Sequence, residues 1–167
     1  VIYARVSVIF CDNPVIESIQ VAPRIATSDI VVQARVKNHG AASTTASLSH
    51  RVKTWKGGKK VAASAPQSVL LQPGEETILT ETSQIPDAHL WTPEDPFLYV
   101  VESRTGGDSL KTRFGMREFR FDAATKRAYL NAQIYYLRGS NITLHRFFEG
   151  PLCQALPWQE SWVRKLL

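Results

Sequence analysis

Few side chains in this 167-residue chain are of a type and spacing that could do chemistry. The adjacent carboxylates Glu94 and Asp95 could act as an acid and a base, but they lie between Pro93 and Pro96. Neighbouring carboxylates in a proline-flanked turn seldom converge on one bond, so a turn role is expected of them. Glu149 reads as a loop residue and Glu160 as part of a first helical turn, where a carboxylate complements the helix dipole. Neither is assigned to catalysis. His39, His50 and His89 have no partners at ligand spacing, and Cys11 and Cys153 lack it too, so free thiols, no metal site and no cofactor are expected. The densest group of hydrogen-bonding side chains is Arg138-Gly139-Ser140-Asn141, at the end of an apolar run, with His145 beyond it.

The elements that must position these residues are mostly strands. Val1 to Phe10 alternates like a strand leaving one domain, and Cys11 to Pro14 reads as the entry to the next. Val15 to Val21 and Asp29 to Asn38 follow, the second with Ile30, Val32, Ala34 and Val36 on one face and Gln33, Arg35 and Lys37 on the other. Asn38-His39-Gly40 is a turn signal. Thr45 to Trp55 alternates around Leu48 and Val52, and Lys56-Gly57-Gly58-Lys59 closes a hairpin. Val69 to Leu71 is an apolar edge, Gln72-Pro73-Gly74 a turn, and Thr77 to Ile85 a strand with Ile78 offered to the core. Phe97 to Ser103 and Ser109 to Gly115 flank the hairpin loop Thr105-Gly106-Gly107-Asp108. About seven short strands with turn signals every ~8 to 12 residues predict an immunoglobulin-like sandwich, while the lack of a Cys-Trp-Cys pattern excludes an antibody-type domain.

Beyond Phe121 the pattern changes. Asp122 to Lys126 reads as a polar linker, and Tyr129-Leu130 and Ile134 to Leu137 flank Asn131-Ala132 as a hairpin running into an apolar strand. Trp158, Trp162 and Leu166 fall at helical spacing, with Pro157 at the start and Arg164 and Lys165 facing out. The absence of an initiator methionine at Val1 and of a C-cap near Leu167 reads as a piece of a longer protein.

With 44% hydrophobic and 10% aromatic residues the chain can bury a core. The net charge of +5 raises nucleic acid as a partner, but the basic residues are dispersed along the sequence. Their one local cluster, Lys53, Lys56, Lys59 and Lys60, reads as a solvated hairpin tip. No apolar run approaches the ~20 residues of a membrane span, and the first residues lack a signal peptide's basic leader. A soluble chain is expected, with no nucleic-acid or membrane partner; export of the parent protein stays open.

Three segments carry a family resemblance. Leu90-Trp91-Thr92-Pro93-Glu94-Asp95-Pro96-Phe97-Leu98-Tyr99, Arg113-Phe114-Gly115-Met116-Arg117-Glu118-Phe119 and the run from Tyr129 to Asn141 together resemble glycoside hydrolase family 2. That group contains β-galactosidases, β-glucuronidases and β-mannosidases. The resemblance implies a mainly β chain: an immunoglobulin-like antiparallel β-sandwich followed by the first strand and helix of a (β/α)8 barrel. The implied division is 1–14 as the end of a preceding domain, 15–122 as the sandwich and 123–167 as the start of the catalytic barrel. Gly115 would mark a bulge or a close backbone approach, and Arg117 either a bridge between domains or a surface ion pair with Glu118 or another neighbour. Ala132 stands where the family has the Gly of an Asn-Gly turn, which leaves another turn type open.

Family resemblance further implies that Arg138 and Asn141 stand at the strand end where barrel active sites lie, and that a following His reaches the sugar. His145 is the nearest candidate, four positions after Asn141 where the family has two; it could donate to a sugar hydroxyl while Phe147 or Phe148 stacks on the ring. Retaining hydrolysis needs a pair of glutamates, which the family carries on later barrel strands. The chain alone is therefore expected to be inactive, its carbohydrate substrate met only by the intact parent. Leu137, Trp158, Trp162 and Leu166 would be an exposed patch open to self-association. The alternative is a noncatalytic immunoglobulin-like module that binds carbohydrate or protein, and a further one a hydrolase homologue that has lost the chemistry.

Overall fold

A computed structural model describes residues 8, 10–139 and 155–166. Most of Val1 to Phe10, together with Asn141, His145, Glu149 and Cys153, lies outside the described residues. The chain divides into two compact units, 1–135 and 136–167.

The first unit is a β-sandwich. One sheet holds β1 (Val15–Arg24), β2 (Asp29–Lys37) and β6 (Glu76–Gln84) in the order β1-β2-β6. The other holds β4 (Lys60–Ala63), β3 (Thr44–Thr54), β7 (Tyr99–Arg104) and β8 (Ser109–Phe114) in the order β4-β3-β7-β8, with β5 (Gln67–Leu71) also on β3. All pairs between these strands are antiparallel. β5 and β4 run along one edge of β3 as a single interrupted strand. They pair with 44–48 and 51–53 respectively, and the break at Ser64, Ala65 and Pro66 is bridged where His50 N–H donates to Ser64 Oγ and Ser64 N–H to the His50 carbonyl.

Alternation builds the core, because a strand sends successive side chains to opposite faces. Ile30, Val32, Ala34 and Val36 of β2 are fully buried and meet Ala46, Leu48 and Val52 of β3, as their spacing predicts. The core has two parts. Ile30, Val32, Val52, Ile85, Tyr99, Val101, Phe114 and Met116 form one; Ile16, Ala34, Val36, Ala46, Leu48 and Leu71 form the other. Ile78 is a correction: it is 55% exposed, because the inward face of β6 is that of Leu79 and Ser83, in phase with Ile85 just beyond. Ile78 instead sits opposite Arg35 on the outer face.

A third, small sheet follows, ordered β11-β10-β9: β9 (Phe119–Asp122), β10 (Arg127–Leu130) and β11 (Gln133–Ile134). Asp122 to Lys126, expected as a linker, is the turn joining β9 to β10. The Asp122 carboxylate holds it by accepting from Thr125 N–H and Oγ1. Asn131 and Ala132 form a two-residue loop with φ of +50° and +65°, the left-handed pair of a type I′ turn, so Ala132 has not forced another turn type. A Cβ in that region costs about 1–2 kcal/mol. Ala132→Gly is accordingly expected to raise stability by about 1 kcal/mol, seen as a higher urea midpoint with unchanged slope; a lower midpoint would contradict the turn assignment.

In the second unit α1 (Leu156–Leu166) forms where the Trp spacing predicts it, with the Trp158 and Trp162 rings 6.0 Å apart one turn on. Its first turn contains no acidic residue, so Glu160, expected there, lies one turn too far along to cap the dipole.

Candidate functional site

Within the first unit, parts of the three segments that carry the resemblance meet at one corner of the sandwich, around Trp91, Met116 and Asn131. Trp91 N–H donates to the Met116 carbonyl at 2.9 Å, and Leu90 bridges Met116 in parallel. Gly115 is the close approach its position predicts: a Cβ there would stand 2.8 Å from Trp91 Cβ and 2.9 Å from Cγ. The Arg117 guanidinium lies 4.3 Å over the indole of Trp91. Of the contacts expected of Arg117, the ion pair with Glu118 is not made: Glu118 instead faces Arg120 at 3.7 Å. Cation–π stacking keeps the guanidinium N–H groups available at its rim, which a carboxylate partner would have occupied.

Asn131 ties the small sheet to this corner. Its side chain donates to the Trp91 carbonyl at 2.9 Å and accepts from Glu118 N–H at 3.1 Å, while its own N–H donates to the Glu118 carbonyl. A left-handed Asn thus closes a hairpin and bonds two other segments at once. Sequence reading took Asn131 only as a turn residue, and its tertiary role had no local signal. Between these elements lies an open, largely apolar cleft of about 320 Å³, lined by Trp91, Pro93, Arg117, Phe119, Leu130 and Tyr135.

Glu94 and Asp95 behave as turn residues. Thr92 N–H donates to the Asp95 carbonyl, Asp95 N–H to Thr92 Oγ1, and the Asp95 carboxylate meets the His89 ring at 2.6 Å. Glu94 is exposed and no carboxylate pair forms there. Of the residues singled out as sugar contacts, Arg138 is exposed in a stretch, 135–139, without strand pairing; Asn141 and His145 lie outside the described residues. Among the described residues no group of acidic, His and Cys side chains could hold a metal ion.

One polar group in the core was missed. His50, 3% exposed, places Nδ1 2.8 Å from Ser103 Oγ, and its Nε2 has no hydrogen-bond partner among the described residues. The Glu81 carboxylate across the sandwich stands 4.0 Å from Nε2. Burial pushes the imidazole below its ordinary 6.5. Ser103 is fully buried, so Glu81, His50 and Ser103 form no accessible nucleophile. In the unfolded chain His50 takes a proton near pH 6.5, whereas the folded chain resists it, so its contribution to stability is complete above that pH and is lost as pH falls through the lowered folded value. The urea midpoint should fall between pH 7 and 5.5, with a clearly flatter profile in His50→Phe; parallel profiles would remove His50 as the cause.

Comparison with known proteins agrees with this architecture. The family model described as glycosyl hydrolases family 2 matches residues 15–117. A Bacteroides uniformis β-glucuronidase structure is 26% identical with a TM-score of 0.59, over 72% of this chain and 15% of that one. A family 2 member from Bacteroides cellulosilyticus is 25% identical with a TM-score of 0.65, over 74% and 18%. A β-galacturonidase from Eisenbergiella tayi, bound to galacturonate, is 23% identical with a TM-score of 0.59, over 70% and 20%, and bears on the fold alone. The chain thus spans a fifth or less of the length of these enzymes. None of the curated proteins matches it. Since the family model covers well over half of the residues, and does so on the sandwich just described, the chain belongs to glycosyl hydrolases family 2.

Proposed function

We propose that this chain is part of a β-glycosidase in which the sandwich is a noncatalytic, immunoglobulin-like domain and residues 123–167 begin the catalytic barrel. The observation that carries this reading is the family match over 15–117, continued in sequence by the Arg138-Gly139-Ser140-Asn141 segment. In this reading 1–14 closes a preceding domain and 15–122 is the spacer. Arg138, Asn141 and His145 contact sugar hydroxyls or a sugar carboxylate.

The chemistry is retaining hydrolysis. One carboxyl protonates the leaving oxygen while a second, about 5–5.5 Å away, attacks the anomeric carbon; water then releases the glycosyl group with the first residue acting as base. That pair is supplied by residues other than these 167. Neither the Glu94-Asp95 turn nor exposed Glu160 offers two carboxylates across one bond.

The test compares the 167-residue chain with the longer protein on aryl β-galactosides, β-glucuronides and β-mannosides. The β-glucuronidase similar at 26% identity is the reason hexuronides stand beside galactosides in that panel. The longer protein should hydrolyse one class with retained anomeric configuration, and the chain alone should give no rate above the blank. In the longer protein Arg138→Ala should lower kcat/KM about 10- to 100-fold, the loss of one charge-assisted hydrogen bond. A measurable rate from the pure chain would overturn the reading.

A further inference from the structure

The cations that look dispersed in sequence are gathered by the fold onto one surface. Arg51, Lys53, Arg104, Lys111 and Arg113 all lie on outward-facing positions of β3, β7 and β8. Strand register sets them in rows: Arg51 beside Glu102 and Lys111, Lys53 beside Val100 and Arg113, and Ser49 beside Arg104 and Ser109. Rows on one face of a strand are about 7 Å apart.

Five cations share this face with one carboxylate, and that carboxylate is already matched. Glu102 accepts from Lys53 Nζ at 2.9 Å and faces Lys111 Nζ at 3.5 Å, with 11% of its side chain exposed. Arg51 and Arg104 are exposed and make no ion pair among the described residues, and Arg113 stacks 4.7 Å over Trp55. Between Arg51 and Arg104 the surface dips into a hollow of about 90 Å³ lined also by Ser49, Ser64 and Glu102. The opposite sheet differs in kind: on its outer face Arg35 is paired with Glu76 at 2.9 Å.

We propose that the outer face of β3, β7 and β8 is a docking surface for a carboxylate-bearing polysaccharide. Guanidinium groups present paired N–H donors that match a carboxylate in the plane, and two unpaired ones flank the hollow. A hydroxyl-rich chain also suits the hollow, since the half-buried Ser49 hydroxyl in its lining can exchange hydrogen bonds with sugar hydroxyls. A single-stranded nucleic acid fits less well: Ser49, Val100 and Ser109 alternate with the cations where such binders place successive aromatic platforms, and the Trp55 ring is stacked against Arg113. The choice of glycan rests on membership in a glycosidase family, and the catalytic reading is not needed for it.

The test is calorimetric titration of the 167-residue chain with a galacturonate decasaccharide, a neutral galactan oligomer and single-stranded DNA of equal charge, at 50 and 200 mM NaCl. Expected are binding of the acidic oligosaccharide that weakens at least tenfold with salt, and none of the neutral one. Arg51→Glu/Arg104→Glu should weaken it at least a further tenfold with an unchanged melting temperature, because both side chains are exposed and unpaired. If that pair loses stability, Arg51→Gln/Arg104→Gln gives the same reading with a smaller drop. Absence of binding at 50 mM, equal binding by the variants, or tighter binding of the DNA would overturn the proposal. No arm depends on turnover, so failure here leaves the glycosidase assay untouched, and the converse.

Discussion

Asn38→Ala should cost the sandwich about 2–4 kcal/mol, a large share of the stability of a domain this size. The Asn38 side chain is fully buried at the end of β2. Its Nδ2 donates to the carbonyls of Ala42, Leu71 and Gln72 at 2.9, 3.1 and 3.0 Å, so two hydrogens serve three acceptors. Its Oδ1 accepts from Asn13 Nδ2 at 2.7 Å and from Gly40 N–H at 2.8 Å. Removing the amide leaves the buried Leu71 carbonyl and the part-buried carbonyls of Ala42 and Gln72 without this donor, and an unmet buried acceptor costs more than a made bond gains. Backbone bonds at the position, from Asn38 N–H to Glu75 and from Gly74 N–H to Asn38, survive the change, so the fold should persist in weakened form. Asn38→Asp should be worse at neutral pH, since a carboxylate would face three carbonyl oxygens. Urea unfolding gives both numbers; a loss under about 1 kcal/mol for Asn38→Ala would show that these carbonyls find other donors.

The second large effect belongs to Gly115. Any side chain there meets the Cβ and ring of Trp91 well inside van der Waals contact, and Trp91 cannot simply rotate away because its N–H is bonded to Met116 and its carbonyl to Asn131. Gly115→Val should therefore push the 90–98 loop outward and cost about 2–3 kcal/mol. It should also separate Trp91 from Arg117, which changes the environment of that indole. Tryptophan emission should shift to longer wavelength in the folded variant, a readout that a general loss of stability would not produce. An unshifted spectrum with wild-type stability would mean that the backbone gives way more easily than the geometry implies.

Local rules made the strands of the sandwich readable. Alternation in β2 and β3 named Ile30, Val32, Ala34, Val36, Leu48 and Val52 as core before any partner was known, and all are buried. β6 shows the limit. Thr-rich sequence gives little apolar contrast between its faces, so the phase was set by one isoleucine, and the tertiary context chose the other face. The hydrogen-bonding roles of Asn38 and Asn131 are legible only as turn preferences, because the partners that make them tertiary links, Leu71 and Gln72 for Asn38 and Trp91 for Asn131, lie 33 or more positions away. His50 fell in an alternating strand at an inward position, a signal that could have marked it as buried. The basic surface was invisible for the same reason: its members come from three strands, and only the register of β3, β7 and β8 makes them neighbours.

The interruption between β4 and β5 has a consequence for life in a crowded solution. An unbroken outer strand from 60 to 71 would present a long row of free amide and carbonyl groups, to which another chain could add its own strand and begin a growing stack. Pro66 has no N–H to offer, and the Ser64 N–H and hydroxyl are turned inward onto His50, so the row is cut into two short pieces. Lys59 and Lys60 add charge at one end of it. The margin of the sheet is thereby made a poor template for polymerisation.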